Sequence, residues 1–137
     1  MQEDKETCVA LIEAYKEQLE ALEGQSAYLQ AMVNDYLKAK ITIENLEKLE
    51  KGEILLPIGG GIYVPAVCEK VEKVLVAEGA DVVIEKDLKS AIESIDKRIR
   101  DLQETISRIG ETYQKIQDRI EELTRKLREL LEKEGKG

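Results

Sequence analysis

The residues that could do chemistry are few, and their spacing excludes most reactions. The chain contains no His, so neither a Ser–His nor a Cys–His pair exists and a conventional triad is ruled out. Cys8 and Cys68 stand alone, outside any Cys-x-x-Cys spacing. A structural zinc site takes about four such ligands, so both read as reduced thiols. The run Gly59-Gly60-Gly61 invites a phosphate-loop reading, but no Lys-Ser/Thr follows it and no helix opens after it. It reads as a hairpin turn. Asp and Glu are abundant, yet on the helical segments Lys or Arg stands three or four residues away. That is the pattern of solvated outer faces rather than of paired catalytic carboxylates. The chemistry left is that of apolar side chains, which is association.

Those side chains are arranged by two long periodic segments. In the C-terminal third, Leu88, Ile92, Ile95, Ile99, Leu102, Ile106, Ile109, Tyr113, Ile116, Ile120, Leu123, Leu127 and Leu130 recur at spacings of 4 and 3 without a break. A strict two-in-seven stripe is a coiled-coil seam and predicts a left-handed supercoil roughly 65 Å long. Asp87 fits as its N-cap. In the N-terminal third, Cys8, Ile12, Tyr15, Leu19, Leu22, Ser26, Leu29, Val33 and Tyr36 keep the same spacing, Lys40 interrupts it, and Ile43, Leu46 and Leu49 resume out of phase. Gly52 reads as the stop. Two helices of equal length predict one antiparallel hairpin, or arms that pair with another chain. Setting Ile12 opposite Leu123 and Leu29 opposite Ile106 aligns the seams; so does a slide of one heptad, and both registers stay open. Gly24 and Gly110 each weaken a helix by about 1 kcal/mol relative to Ala and lie at one level in the first register or about two turns apart in the second, a candidate flex point.

Between the helices the pattern changes. Ile54-Leu55-Leu56-Pro57-Ile58 and Ile62-Tyr63-Val64-Pro65-Ala66-Val67 flank the glycine run, and Val74-Leu75-Val76 and Val82-Val83-Ile84 flank Glu78-Gly79-Ala80-Asp81. These predict two β-hairpins. The strands are apolar on consecutive residues and so expect cover on both faces. An isolated hairpin is marginal in water and has open edges. The middle segment therefore predicts oligomerisation, with Pro57 and Pro65 at edges or bulges.

Composition agrees. The 137 residues include no Trp and no Phe, with five Tyr as the sole aromatics, and 36% are charged, which favours a thin structure with an aliphatic seam. A net charge of −8 disfavours nucleic acid and anionic membrane surfaces as partners. No run approaches a membrane span of about 20 apolar residues. The polar, acidic start, Met1 to Glu6, does not read as a secretory leader, which makes the cytoplasm the expected compartment. Residues from Glu132 to Gly137 are expected to fray.

The order helix, hairpin, hairpin, helix, with Glu53 to Ala66 as first hairpin, Lys73 to Lys86 as second and Asp87-Leu88 leading to Ala91-Ile92, resembles the alpha class of prefoldin subunits. The resemblance implies an α+β fold: a long antiparallel two-helix coiled-coil hairpin joined at its base by two β-hairpins that assemble into an oligomeric β-barrel. The expected division is one domain over 1–137, with helices at 5–51 and 87–133 and hairpins at 53–86. It further implies a chaperone, not an enzyme, with no cofactor or metal. Two alpha subunits would join four beta-class subunits, hold non-native polypeptides at the coiled-coil tips and pass them to a group II chaperonin. A gamma-type, homomeric filament is the alternative. Expected tip contacts are Cys8, Val9, Leu11, Ile12, Leu127, Leu130 and Leu131, of which Val9, Leu11 and Leu131 exceed what the seam needs. Expected strand interfaces are Ile54, Leu56, Ile58, Ile62, Tyr63, Val64, Val74, Val76, Val82 and Ile84.

Overall fold

The computed structural model describes residues 4–136. The element order is α1 (Lys5–Lys48), β1 (Lys51–Gly59), β2 (Ile62–Glu69), β3 (Lys73–Gly79), β4 (Val82–Asp87) and α2 (Leu88–Lys136). The chain divides into two compact units, Met1–Met32 with Leu102–Gly137 and Val33–Asp101. The leader reading for Met1 to Glu6 rests in part on residues 1–3, which lie outside the described residues, as does Gly137.

In the first unit both heptad stripes do what their spacing demands. Cys8 and Leu123 are fully buried, the remaining seam positions are half-buried, and most residues between them are exposed. Side-chain bonds join the helices: the Tyr113 hydroxyl donates to Glu23 at 2.7 Å, and Lys5 pairs with Glu134 at 3.2 Å. The carboxylate beside it raises the Tyr113 pKa, since ionising the phenol would lose that bond and set two negative charges together. At the start of α1 the Asp4 carboxylate accepts from the Thr7 amide at 2.8 Å, an N-cap that holds its pKa below the usual value. α2 continues to Lys136, past the expected end at 133, and Lys5 pairs with Glu134 within its last turns.

In the second unit Val33, Ile43, Leu88, Ala91, Ile95 and Ile99 form the buried core. Asp87 caps α2 as its sequence position promises, accepting from the Ser90 amide at 2.7 Å, and this bond lowers its pKa. The interruption at Lys40 has a partner: its ammonium donates to Asp96 on α2 at 2.8 Å, and that bond raises the Lys40 pKa. Asp96 thus corrects the expectation that the helix carboxylates lie on outer faces.

The register left open by the sequence is settled in each unit by itself. With Ile12 opposite Leu123, Glu23 would face Thr112 and Lys40 would face Ile95; one heptad on, they would face Arg119 and Leu102. The observed partners, Tyr113 and Asp96, each adjoin the first pair. Lys5–Glu134 falls between the two registers, within reach of two long side chains.

The strands form two separate two-stranded antiparallel sheets, β1–β2 and β3–β4. Both hairpins turn in the same way. A register shift falls between Pro57 and Gly59 and again between Ala77 and Gly79. Two left-handed residues then make each turn, Gly60 and Gly61 in one, Ala80 (φ 49°) and Asp81 (φ 62°) in the other. Positive φ at both positions gives the backbone twist that antiparallel strands need. Pro57 pairs with Tyr63 beside the bulge and Pro65 pairs with Leu55, each on a strand with one open edge.

Gly52 is not the helix stop. Helix α1 ends at Lys48, with the Leu49 amide bonded to the Leu46 carbonyl, and Gly52 pairs with Cys68 inside β1. Its φ is not left-handed. A Cβ there would come within 2.7 Å of Leu49 Cδ1, so a larger residue would make the end of the Leu49 side chain shift, and glycine leaves it room beside the strand.

Candidate assembly and substrate-binding surfaces

The β1–β2 hairpin presents apolar side chains on both faces because successive residues point to opposite sides. Leu56 and Val64 are paired on one face; Leu55, Tyr63 and Val67 lie on the other, and all five are exposed, Val67 at 67%. Ile58 and Ile62 near the turn are exposed as well. Ile54 is half-buried. Leu55 and Val67 were missed by the sequence reading, although the consecutive apolar run contains the signal.

The β3–β4 hairpin treats its faces differently. Val74 and Val76 are half-buried and border a hollow of about 340 Å³ shared with Ile43, Ala91 and Ile95 of the helices. Leu75 at 73% and Val83 at 56% are exposed on the opposite face; Val82 and Ile84 are exposed too. An ion network ties this hairpin to the helices. The Glu78 carboxylate accepts from Arg98 at 2.6 Å and pairs with Lys86 at 3.1 Å. Arg98 also donates to the Tyr36 hydroxyl at 3.2 Å and lies over that ring, while Lys86 donates to Ser94 at 2.8 Å. The Lys86 bond, then the charges of Lys86 and Arg98, hold the Glu78 pKa below the usual carboxylate value. Nothing in the local sequence marks this cluster, because Arg98 reaches partners 20 and 62 residues away.

At the paired ends of α1 and α2, Cys8 is buried and Leu11, Ile12, Leu127 and Leu130 are half-buried, so these serve the seam. Val9 at 39% and Leu131 at 45% are exposed, and a hollow lined by Asp4, Lys5, Glu6, Leu130, Lys133 and Glu134 lies at the same helix ends. Of the three residues expected to exceed the seam, Val9 and Leu131 are thus exposed and Leu11 is half-buried, with charged residues around them. Cys8 and Cys68 are free thiols. Among the described residues no group of His, Cys, Asp and Glu is placed to hold a metal ion, and no helix is long and apolar enough to cross a membrane.

The family model for prefoldin subunits matches residues 15–133, spanning both helices and both hairpins. The chain belongs to the prefoldin family. Prefoldin subunit alpha of Methanoregula boonei is 36% identical over 111 residues, covering 79% of this chain and 71% of that protein. Prefoldin subunit alpha of Thermofilum pendens is 34% identical over 90 residues, covering 65% and 70%. Among solved structures, a filamentous prefoldin from Methanocaldococcus jannaschii superimposes with a TM-score of 0.75 at 24% identity, covering 85% of this chain and 98% of that one; at that identity the likeness concerns the fold. Prefoldin membership makes this a chaperone-type subunit built as an α+β coiled-coil hairpin with two β-hairpins.

Proposed function

We propose that residues 1–137 act as one alpha-type subunit of an oligomeric holding chaperone. The strands assemble with those of other subunits into a shared barrel, two alpha chains with four beta-class chains, and the ends of the coiled coils hold unfolded polypeptide. One observation carries this reading: a two-stranded hairpin exposing large apolar side chains on both faces cannot be the finished state of a stable sheet. Strands from neighbouring chains supply the missing cover. In this reading holding needs no nucleotide. Weak apolar contacts at several tips add up through multivalency, Val9 and Leu131 contribute at each tip, and release follows when a group II chaperonin competes for the client.

The purified chain, alone and mixed with a beta-class prefoldin subunit, should be weighed by light scattering. A discrete mixed complex near six chains that suppresses aggregation of a denatured test protein supports the proposal. The filamentous relative of the same fold gives the second reading, growth of homomeric arrays through the same hairpins. Long assemblies indifferent to the beta-class chain would favour it.

A further inference from the structure

The β3–β4 hairpin joins the helix pair by covalent continuity at one end. β4 ends at Asp87 and α2 begins at Leu88 with no loop between them, so β4 leaves α2 directly and the turn is the end farthest along the strands from that junction. The hollow of about 340 Å³ behind β3 means that packing leaves the hairpin incompletely supported. Glu78 lies beside the turn. It is the residue the ladder skips, between Ala77 paired with Val83 and Gly79 paired with Val82, and such a bulge redirects a side chain. Its two carboxylate oxygens are divided between the helix and the hairpin: Oε2 accepts from Arg98, Oε1 pairs with Lys86. Arg98 is in turn oriented by Tyr36 of α1, and Lys86 by Ser94 of α2.

We propose that Glu78 is a positioning residue for assembly: it pins the turn end of β3–β4 to the helix pair and so sets the angle at which the outer face, Leu75 and Val83, meets a strand of the next subunit. This rests on the assembly reading above. The pin brings one carboxylate to two cations at once, so it responds to ionic strength, whereas the β1–β2 hairpin serves as an internal control.

The test compares the full chain with Glu78→Gln, which keeps the side chain's size and removes its charge. Amide hydrogen exchange is measured at a concentration where the chain is dissociated, and mass against concentration by light scattering. Exchange in β3–β4 should quicken about fivefold, the scale of a partly exposed ion network, with β1–β2 unchanged. The concentration for half-assembly should rise by a similar factor, and added salt should carry the unsubstituted chain toward the variant. Equal exchange in the two proteins overturns the pin. Faster exchange with unaltered assembly overturns its positioning role. If Glu78→Gln unfolds, Glu78→Asp is used, with an intermediate effect expected and no effect counting against the proposal. The mass measurement is run on the chain alone and with a beta-class prefoldin subunit, and a parent chain that assembles in neither case overturns the assembly reading, and the proposal with it, before any substitution is compared.

Discussion

Leu123 and Leu131 are the same residue type on one helix in opposite settings, fully buried and 45% exposed respectively. Truncating both to Ala therefore separates the seam from the surplus. Leu123→Ala removes three carbon groups from a site closed to water, about 2.4 kcal/mol of transfer free energy at about 0.8 kcal/mol per group. The space left between two helices adds a cavity cost, giving about 3 kcal/mol. Leu131→Ala forfeits only the buried half of that transfer and leaves no enclosed space, about 1 kcal/mol. With a urea m-value of about 2 kcal/mol/M, the midpoint should fall by about 1.5 M for Leu123→Ala and about 0.5 M for Leu131→Ala. Circular dichroism at one fixed protein concentration reads both, because assembly makes apparent stability depend on concentration. Aggregation suppression, measured at 25 °C where both variants stay folded, should show the reverse order, with Leu131→Ala the weaker holder. Equal midpoint shifts would refute the assignment of Leu123 to the seam and Leu131 to the surface. A Leu131→Ala chain holding clients as well as the parent would refute the tip reading.

Ala80 sits in the left-handed region that glycine adopts freely, so Ala80→Gly should stabilise the β3–β4 hairpin by about 0.5–1 kcal/mol, read as slower amide exchange there. Gly24 and Gly110 have open space where a Cβ would stand, so replacing both by Ala should raise the unfolding free energy by about 2 kcal/mol in total; unchanged mobility of this segment would remove the flex point from consideration. The depressed pKa of Asp87 means that its capping stabilises the fold above the unfolded aspartate pKa and is lost as pH falls through the lower folded value. Asn caps equally well without a charge, so Asp87→Asn should keep the neutral-pH melting temperature while flattening its decline in acid.

Much of this fold was legible because its information is local. The 4, 3 spacing from Leu88 to Leu130 needs no partner to be read, and neither do the turn residues Gly59 to Gly61 and Gly79 to Asp81. Register was not legible, since a heptad seam repeats and both alignments set apolar on apolar; polar partners such as Lys40 and Asp96 break the tie. Lys40 itself was visible as an interruption, and the register that places it level with Ile95 also brings it beside Asp96. Gly52 misled because glycine after a helical run so often ends a helix, whereas here it makes room for Leu49. Of the candidate sites, the strand surfaces followed from consecutive apolar residues. The inward turn of Val74 and Val76 and the Glu78 cluster depend on the hairpin folding back over the helices, which no stretch of sequence displays.

The contrast between the two thiols gives the chain a clock of its own. Cys8 is sealed at 0% exposure between the paired helix ends, whereas Cys68 is half-exposed in β2. A thiol reagent should modify Cys68 promptly and must wait at Cys8 for the helix ends to part. At reagent concentrations where modification outpaces reclosing, the slower rate at Cys8 is the opening rate of the segment expected to grip clients, read from the chain's own two thiols.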